Sequence, residues 1–279
     1  MESKVSLIIP TLNNTKGLRY LLDYFKDKNY QIIVIDNKPS DEKRKILGRF
    51  LDFARNDRSS RPKWRDLIYL PQKRNLGFAA AINLGAKKSK TKWILMLNDD
   101  IEFYDDKTIL YLIKVAQEKK WDAVSPILKN PDGRVENYGY RLLPIGKIQL
   151  VKEFSISNPP AGGQFSKIDG LTAACLLIKT EVFRKLKGFD ESFFAYLEDV
   201  DFFLRFKKAG YKMGIANNIK VLHHHMTTSK TMGNFKARQD MVNWWKLYFK
   251  HKEKFQLDFR FILERLKNVS GFLRASFNL

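Results

Sequence analysis

The chain has 279 residues, of which 44% are hydrophobic and 29% charged, a composition that excludes an intrinsically disordered protein and predicts a folded one with a sizeable core. Its formal net charge of +21 predicts a phosphate-bearing partner but does not distinguish nucleic acid, anionic lipid and an anionic small molecule. The single cysteine, Cys175, excludes an intrachain disulfide, and the lack of a long apolar run or a signal peptide predicts a cytoplasmic protein that is neither secreted nor integral to a membrane.

The first hundred residues alternate short apolar runs, which have the length and branching of buried strands, with a helical pattern. The runs are residues 5–9, 31–35, 66–70 and 93–97. Between the first two, apolar residues from Leu18 to Phe25 follow helical spacing, and Asn13 or Asn14 is placed to cap that helix. The order strand, helix, strand predicts a parallel sheet with right-handed crossovers, and ligands of such sheets bind beyond the carboxyl ends of the strands.

The pattern changes in the second half of the chain. Residues 126–163 are rich in Gly and Pro and predict a long, partly irregular segment, which we interpret as a lid or an acceptor-side segment. An apolar run at 171–178 precedes a short helix at 180–187, and an acidic helix begins at Glu198. Residues 212–222 supply one or two further strands.

The last fifty residues, 230–279, contain eleven Lys and Arg against four Asp and Glu and fit two amphipathic helices. Their apolar stripes are Met241, Trp244, Trp245, Tyr248 and Phe249 in the first, and Phe259, Ile262, Leu263 and Leu266 in the second, with Arg260, Arg265 and Lys267 on the polar side. We interpret this segment as an extension that lies on anionic lipid and affects location but not chemistry, beside a main domain at 1–229. The alternative is that its Trp-rich stripe packs on the main domain or on the second subunit of a homodimer.

Polar residues follow each predicted strand of the first half, and several of them are acids. Adjacent carboxylates at Asp99 and Asp100 repel each other unless a cation compensates them, which indicates a divalent metal held together with substrate phosphates; a solvated acidic turn is the alternative. Asp36 is placed to accept hydrogen bonds from a ribose or a base, or else caps a turn. Arg74 beside Gly77 fits a cation near a pyrophosphate, or a plain loop.

Two further clusters of chemically active residues lie later in the chain. Glu198, Asp199 and Asp201 follow an apolar stretch that would partly desolvate them, so one of them is a candidate general base; surface acids that complement the helix dipole are the alternative. Of three consecutive histidines at a predicted strand end, only His223 and His225 can share a side. These histidines are candidate metal ligands or surface residues.

In order and spacing, these motifs resemble the inverting nucleotide-sugar glycosyltransferases of family 2, especially bacterial rhamnosyltransferases. The resemblance extends to about residue 229 and is carried by Val5–Asn13, Ile33–Asn37, Arg74–Gly85, Leu97–Asp100 and Gly188–Arg205. It implies the GT-A fold, an α/β architecture with a Rossmann-like, mostly parallel central sheet flanked by helices, here followed by a C-terminal helical extension.

The resemblance also implies roles for individual residues. The residues implied to bind the nucleotide are Pro10, Thr11, Asp36, Asn37, Arg74, Asn75, Gly77, Asn98 and Asp99. Asp100 and His223 would bind a Mn²⁺ or Mg²⁺ ion at the donor pyrophosphate, although Asn98 stands where the family has an acidic residue. Asp199 would be the general base, and Gly170 and Glu198 would lie beside the donor sugar or the acceptor.

The implied reaction is a single displacement in which the base takes the proton of an acceptor hydroxyl while its oxygen attacks the anomeric carbon, with inversion. The implied function is transfer of a hexose, with rhamnose a candidate, from a nucleotide-diphosphate sugar to a glycan or lipid-linked acceptor in bacterial cell-surface polysaccharide synthesis, at the inner face of the membrane. The alternatives are a catalytically inert GT-A relative that serves as a membrane scaffold and a basic nucleic-acid binder. Against the latter, the sequence has no recognised nucleic-acid motif, and its acids gather where a ligand would bind.

Overall fold

The computed structural model describes residues 4–56, 67–152, 168–224 and 234–277. The strands are β1 (Val5–Thr11), β2 (Gln31–Asp36), β3 (Leu67–Pro71), β4 (Trp93–Leu97), β5 (Ile101–Phe103), β6 (Ala123–Lys129), β7 (Val135–Asn137), β8 (Tyr140–Leu143), β9 (Lys147–Leu150), β10 (Cys175–Lys179) and β11 (Met213–His223). The helices are α1 (Thr15–Phe25), α2 (Asp41–Asn56), α3 (Gly77–Lys88), α4 (Thr108–Glu118), α5 (Thr180–Lys185), α6 (Glu198–Lys208), α7 (Phe235–Lys250) and α8 (Phe259–Phe277). As predicted, α1 is capped by Asn14, whose side chain accepts a hydrogen bond from Gly17 N at 2.9 Å.

A central sheet runs through the described residues in the order β3-β2-β1-β4-β10-β6-β11-β5, with β7 paired to β6. β3, β2, β1 and β4 are parallel to one another, as the alternation of strand and helix predicted. β10 is antiparallel to both β4 and β6, and β11 is parallel to β6 but antiparallel to β5. The first half of the sheet is therefore parallel and the second half mixed, and the start of β10 lies at the carboxyl end of β4.

Helices cover both faces of the sheet because side chains alternate along each strand. On β1, Leu7 and Ile9 belong to the apolar core shared with α1, α2 and α4, whereas Ile8 belongs to the core shared with α3, α5 and α6. The two cores bury both faces of the sheet, which leaves the ends of its strands as the place where a ligand can bind.

The segment predicted to be partly irregular, 126–163, consists of short strands and turns where the structure describes it. β7 pairs with β6, and β8 and β9 form a hairpin of their own. Residues 126–152 are therefore only partly irregular, as predicted, because most of the Gly and Pro residues there lie in the turns between short strands. Residues 153–163, together with Asp66 and His225, lie outside the described residues.

The C-terminal helices α7 and α8 pack against each other and on α6. Their shared core contains Trp244, Leu247 and Phe261 together with Val200 of α6. Within the described residues, no helix is both long and apolar enough to cross a membrane. The division between 1–229 and 230–279 lies in 225–233, outside the described residues, and remains a prediction.

The orientation of α8 differs from the predicted one. Arg265, expected on the polar side, is buried; its guanidinium lies 4.4 Å from the centre of the Trp244 ring and donates to the Gly146 carbonyl at 2.5 Å. The helix therefore packs through the face of Phe261 and Arg265. The apolar stripe of Phe259, Ile262, Leu263 and Leu266 is exposed.

Candidate active site

An open cavity of about 510 Å³ lies where the carboxyl ends of β1, β2 and β4 meet the start of α6 and the end of β11. The predicted site residues that line it are Pro10, Thr11, Asn37, Asn75, Gly77, Asn98, Asp99, Asp100, Glu198, Asp199 and His223. Asp36, Arg74 and Gly170 are not among its lining residues. The structure thus brings most of the predicted residues together at the expected edge of the sheet.

Asp36, at the end of β2, is fully buried, and its carboxylate is bound within the protein. Lys43 Nζ donates to Asp36 Oδ1 at 2.7 Å, and the Tyr69 hydroxyl donates to Oδ2 at 2.9 Å. Lys43 is itself buried and also donates to the carbonyl of Leu12, which lines the cavity. Since a buried carboxylate needs such partners, Asp36 fixes the loops around the cavity, and its neighbour Asn37 reaches the lining.

Two of the predicted glycines have neighbours that leave no room for a side chain. Gly77 begins α3 with φ +80°, and a Cβ there would clash with the Phe194 carbonyl oxygen, which also accepts a hydrogen bond from Phe78 N at 2.8 Å. A Cβ on Gly170 would clash with the Tyr140 hydroxyl. Close contacts within the protein therefore explain why glycine is required at both positions. Arg74, another of the predicted residues, is exposed and lies outside the cavity.

The acidic end of β4 lies beside the last residue of β11. His223 Nε2 lies 3.2 Å from Asp100 Oδ1, and His223 Nδ1 lies 2.8 Å from Glu136 Oε2. Burial lowers the pKa of His223, but hydrogen bonds to the two carboxylates outweigh it and raise the pKa to about 9. Burial, together with the neighbouring charge of Asp100, raises the pKa of Asp99 to about 7. The cavity therefore contains a dense group of acids with one histidine among them.

The donor atoms of Asp100 and His223 decide whether a divalent ion fits here. In the part of the chain that the structure describes, no group of three or more His, Cys, Asp and Glu side chains is arranged to hold a metal. Asp100 and His223 nevertheless offer a carboxylate oxygen and an imidazole nitrogen to the cavity, both donor types for divalent transition metals. A metal-bound histidine commonly holds its second ring nitrogen against a carboxylate, as His223 does against Glu136. The pair fits an ion whose other ligands come from a bound molecule.

Glu198 and Asp199 are the first two residues of α6, and both line the cavity. Burial raises the pKa of Glu198 well above its ordinary value, and the charge of Asp199 adds to this. Burial also raises the pKa of Asp199, to about 6, although Asp199 Oδ1 accepts a hydrogen bond from Val200 N at 2.8 Å. Burial therefore favours the neutral form of both carboxyl groups, and more strongly that of Glu198, which leaves Asp199 as the better candidate for an ionised proton acceptor.

The model of a protein family described as Glycosyl transferase family 2 matches residues 6–186, more than half of the chain. The chain belongs to glycosyl transferase family 2. The family predicted from the sequence motifs is thereby confirmed.

Several relatives of this family 2 chain carry names that describe an activity or a process, among them the following three. It is 25% identical to the O-antigen biosynthesis protein RfbC of Myxococcus xanthus over 81% of this chain and 18% of that protein. It is 26% identical to the N-acetylglucosaminyl-diphospho-decaprenol L-rhamnosyltransferase of Mycobacterium tuberculosis over 58% of this chain and 60% of that protein. It is 25% identical to the rhamnosyltransferase WbbL of Escherichia coli over 79% of this chain and 84% of that protein. The chain thus spans less than two thirds of the first two.

Solved structures of glycosyltransferases share the fold. The mannosyltransferase PcManGT from Pyrobaculum calidifontis, solved in complex with GDP-Man and Mn²⁺, superposes with a TM-score of 0.62 at 14% identity, over 99% of this chain and 74% of that one. S. aureus TarS gives a TM-score of 0.60 at 15% identity, over 98% of this chain and 43% of that one. At this identity the likeness shows the fold alone, and it confirms the predicted GT-A fold.

Several residues of the cavity were not predicted from the sequence. Glu136 lies in the segment that was interpreted as a lid or an acceptor-side segment, and no motif there indicated a neighbour of His223. Phe235 and Lys236 begin α7, and they bring the C-terminal extension into the cavity lining. The sequence offered one signal for them, since the extension begins shortly after the predicted metal ligand and cannot be far from it.

Proposed function

We propose that the protein transfers a sugar from a nucleotide-diphosphate donor to a hydroxyl group of a glycan or lipid-linked acceptor, with inversion of configuration. The observation that carries the proposal is a single cavity that contains both the Asp100–His223 pair and the buried acids Glu198 and Asp199. The names of relatives at 25% and 26% identity support a role in the synthesis of a bacterial cell-surface polysaccharide and make rhamnose the first sugar to test.

The donor diphosphate binds beside Asp100 and His223. These two residues hold a Mn²⁺ or Mg²⁺ ion, which supplies positive charge to the departing diphosphate when bound. Thr11, Asn37 and Asn75 line the same part of the protein and offer hydroxyl and amide groups to the nucleoside. Asp36 does not contact the nucleoside in this proposal. It binds Lys43, which in turn donates to the Leu12 carbonyl and so fixes the backbone of the cavity lining.

Asp199 is the general base of the proposed reaction. The acceptor oxygen attacks the anomeric carbon, the bond from that carbon to the diphosphate breaks, and the acceptor proton passes to the Asp199 carboxylate. A pKa of about 6 leaves this carboxylate ionised at neutral pH while making it more basic than an ordinary aspartate. Glu198, whose neutral form is favoured by burial, donates a hydrogen bond to a sugar hydroxyl; its Oε2 is buried with no hydrogen-bond partner among the described residues.

The exposed face of α8 adsorbs the protein to an anionic membrane surface, where a lipid-linked acceptor is found. Phe259 and Leu266 on this face are 77% and 58% exposed. The basic residues Arg260 and Lys267 flank them, as in helices that lie in the plane of a membrane interface. The net charge of +21 favours anionic lipid in the same way.

A panel of nucleotide sugars tests the proposed function. The purified protein is incubated with dTDP-rhamnose, UDP-glucose, UDP-N-acetylglucosamine and GDP-mannose in the presence of Mn²⁺, and release of the nucleoside diphosphate is measured with and without a polyprenyl-diphosphate sugar as acceptor. At least one donor is expected to be turned over faster with the acceptor present, and NMR of the product is expected to show an inverted anomeric centre. Asp199→Asn serves as the inactive control. Absence of turnover with every donor, or turnover unaffected by Asp199→Asn, would contradict the proposal.

A further inference from the structure

Helix α7 of the C-terminal extension holds the segment that precedes the proposed base. Asn243, on α7, is fully buried, and its Nδ2 donates to the carbonyl oxygens of Ala195 and Tyr196 at 2.8 Å each. Both acceptors are carbonyl groups, so the amide nitrogen and not the amide oxygen faces them. They belong to the two peptide groups on either side of Tyr196, three residues before Asp199.

The backbone between this attachment and the base has an unusual conformation. Tyr196 and Leu197 have φ values of +67° and +68°, in the left-handed region. Residues other than glycine occupy this region only where the surrounding structure holds them there. The two hydrogen bonds from Asn243 act at this point, and the strained residues lead directly into Glu198 and Asp199.

The same helix is attached to α6 on the other side of the base. Asp201, two residues after Asp199, is fully buried; its Oδ1 accepts hydrogen bonds from Lys250 Nζ at 2.6 Å and from His251 Nε2 at 2.9 Å, while Arg205 Nε donates to Oδ2 at 2.9 Å. Burial raises the pKa of Asp201, but these partners outweigh it and lower the pKa to about 2. Because Lys250 and His251 lie at the end of α7, the segment that carries Asp199 is fixed to α7 at both ends.

We propose that Asn243 is a positioning residue for sugar transfer, because it holds the backbone at residues 195–197 in the conformation that directs Asp199 into the cavity. The inference rests on the proposed role of Asp199 as the base. Asn243 is not among the residues that line the cavity, so its effect reaches the reaction only through the backbone that carries the base. The C-terminal extension then contributes to chemistry as well as to location, contrary to what the sequence predicted.

Replacing Asn243 with alanine, beside a matched control on the same helix, tests this role. Leu247 is fully buried one turn further along α7 and packs in the same apolar core, but it makes no hydrogen bond to residues 195–197. Asn243→Ala is expected to lower kcat at least tenfold while the donor KM changes less than threefold. Leu247→Ala is expected to lower the melting temperature at least as much and to leave kcat within threefold at a temperature where both variants are folded. If Asn243→Ala does not fold, Asn243→Ser keeps one donor and is expected to show a smaller loss of kcat.

Hydrogen–deuterium exchange gives a second measurement that does not depend on turnover. Exchange of the backbone amides in 193–201 is expected to rise at least tenfold in Asn243→Ala and to rise less in Leu247→Ala, which packs in one core with Leu197 and Val200 of this segment, with residues 175–185 unchanged in both. An unchanged kcat in a folded Asn243→Ala variant, or an equal loss in Leu247→Ala, would overturn the inference. If the wild type turns over no donor, the proposed function fails, and so does a positioning role in catalysis; the exchange rates then show whether Asn243 still holds residues 195–197.

Discussion

His223 Nε2 lies 3.2 Å from Asp100 Oδ1 because β11 and β5 pair antiparallel with His223 opposite Ile101. The same pairing lets the His224 amide donate to the Asp100 carbonyl at 3.0 Å. A strand pairing, and not a local loop, therefore sets the distance between two residues that are far apart in the sequence. A rigid pair of this kind suits the proposed binding of a divalent ion.

Removing either member of this pair is expected to weaken metal-dependent nucleotide binding. Asp100→Ala and His223→Ala should each raise the Kd of a nucleoside diphosphate at least tenfold in Mn²⁺, because each removes one proposed ligand to the ion. Isothermal titration in Mn²⁺ and in EDTA measures the effect. His224→Ala is the control, since His224 contacts Glu102 outside the cavity. Equal wild-type affinity in Mn²⁺ and in EDTA would show that no ion takes part in nucleotide binding.

The fold of the first half was predictable because its signals are local. Apolar runs of strand length alternate with one clear helical pattern, and Asn14 caps α1 as its position predicted. The segment 126–152 was not predictable, because strands as short as β7 are stabilised by pairing with distant residues and leave little pattern of their own. The burial of Arg265 was also not predictable from local sequence, because it depends on the packing of α8 against Trp244 and Gly146.

The sequence predicted which residues lie at the strand ends of the candidate site. It did not predict which way their side chains point. Asp99 and Asp100 reach the cavity as expected, because they directly follow a buried parallel strand. Asp36 also lies at the end of such a strand, but its carboxylate binds Lys43 of the next helix. No sequence motif predicted this role of Lys43. Glu136 and Lys236 come from segments whose positions depend on tertiary packing.

The two adjacent acids of α6 are expected to respond differently to the same kind of substitution. Asp199→Asn removes the proposed base and should lower kcat by about 10²–10⁴-fold, with donor affinity within a few fold. Glu198→Gln preserves the shape and the hydrogen-bonding capacity of a protonated glutamate, so kcat should fall by less than about tenfold. Steady-state kinetics on both variants, with donor binding measured separately, compares them. An equal loss in the two variants would contradict the assignment of Asp199 alone as the base.

The rate of transfer is expected to depend on pH through Asp199. A base acts only when deprotonated, so kcat should fall as the pH decreases through about 6, the raised pKa of Asp199. Burial also raises the pKa of the adjacent Glu198 well above its ordinary value, which favours its neutral form. Measurement of kcat from pH 5 to 8 at saturating donor and acceptor tests the profile. A kcat that does not change across this range would show that ionisation of Asp199 does not limit the reaction.

The buried ion pair behind the cavity is expected to matter for stability. Lys43→Ala leaves the Asp36 carboxylate buried with Tyr69 as its remaining hydrogen-bonded side chain, and the loss of one partner of such a pair costs about 3–5 kcal/mol of the free energy of unfolding. Arg44→Ala, at an exposed ion pair on the same helix, should cost less than about 1 kcal/mol. Urea denaturation of both variants gives the two values. Similar values for the two would mean that the buried pair contributes no more than a surface pair.

The exposed stripe of α8 is expected to determine binding to anionic vesicles. Phe259→Gln together with Leu266→Gln removes two apolar side chains that are 77% and 58% exposed, so neither change disturbs the core of α7 and α8. Burying such a side chain in an apolar phase stabilises binding by about 1.5–3 kcal/mol, so the double variant should bind phosphatidylglycerol vesicles on the order of a hundredfold more weakly. Vesicle sedimentation at 50 mM and 500 mM salt measures the loss, and binding of the wild type should weaken at the higher salt.

A matched control and the melting temperature separate this prediction from packing of α8 on another subunit. Leu110→Gln changes an apolar residue of similar exposure, 55%, on α4 and should leave vesicle binding unchanged. Truncation before α8 is a poorer test, because it also removes Phe261 and Arg265 from the packed interior. If the stripe instead joins two copies of the chain, the wild type elutes as a dimer, the double variant elutes as a monomer, and neither binds vesicles. That outcome, or equal sedimentation of the wild type and the double variant, would contradict a membrane role for α8.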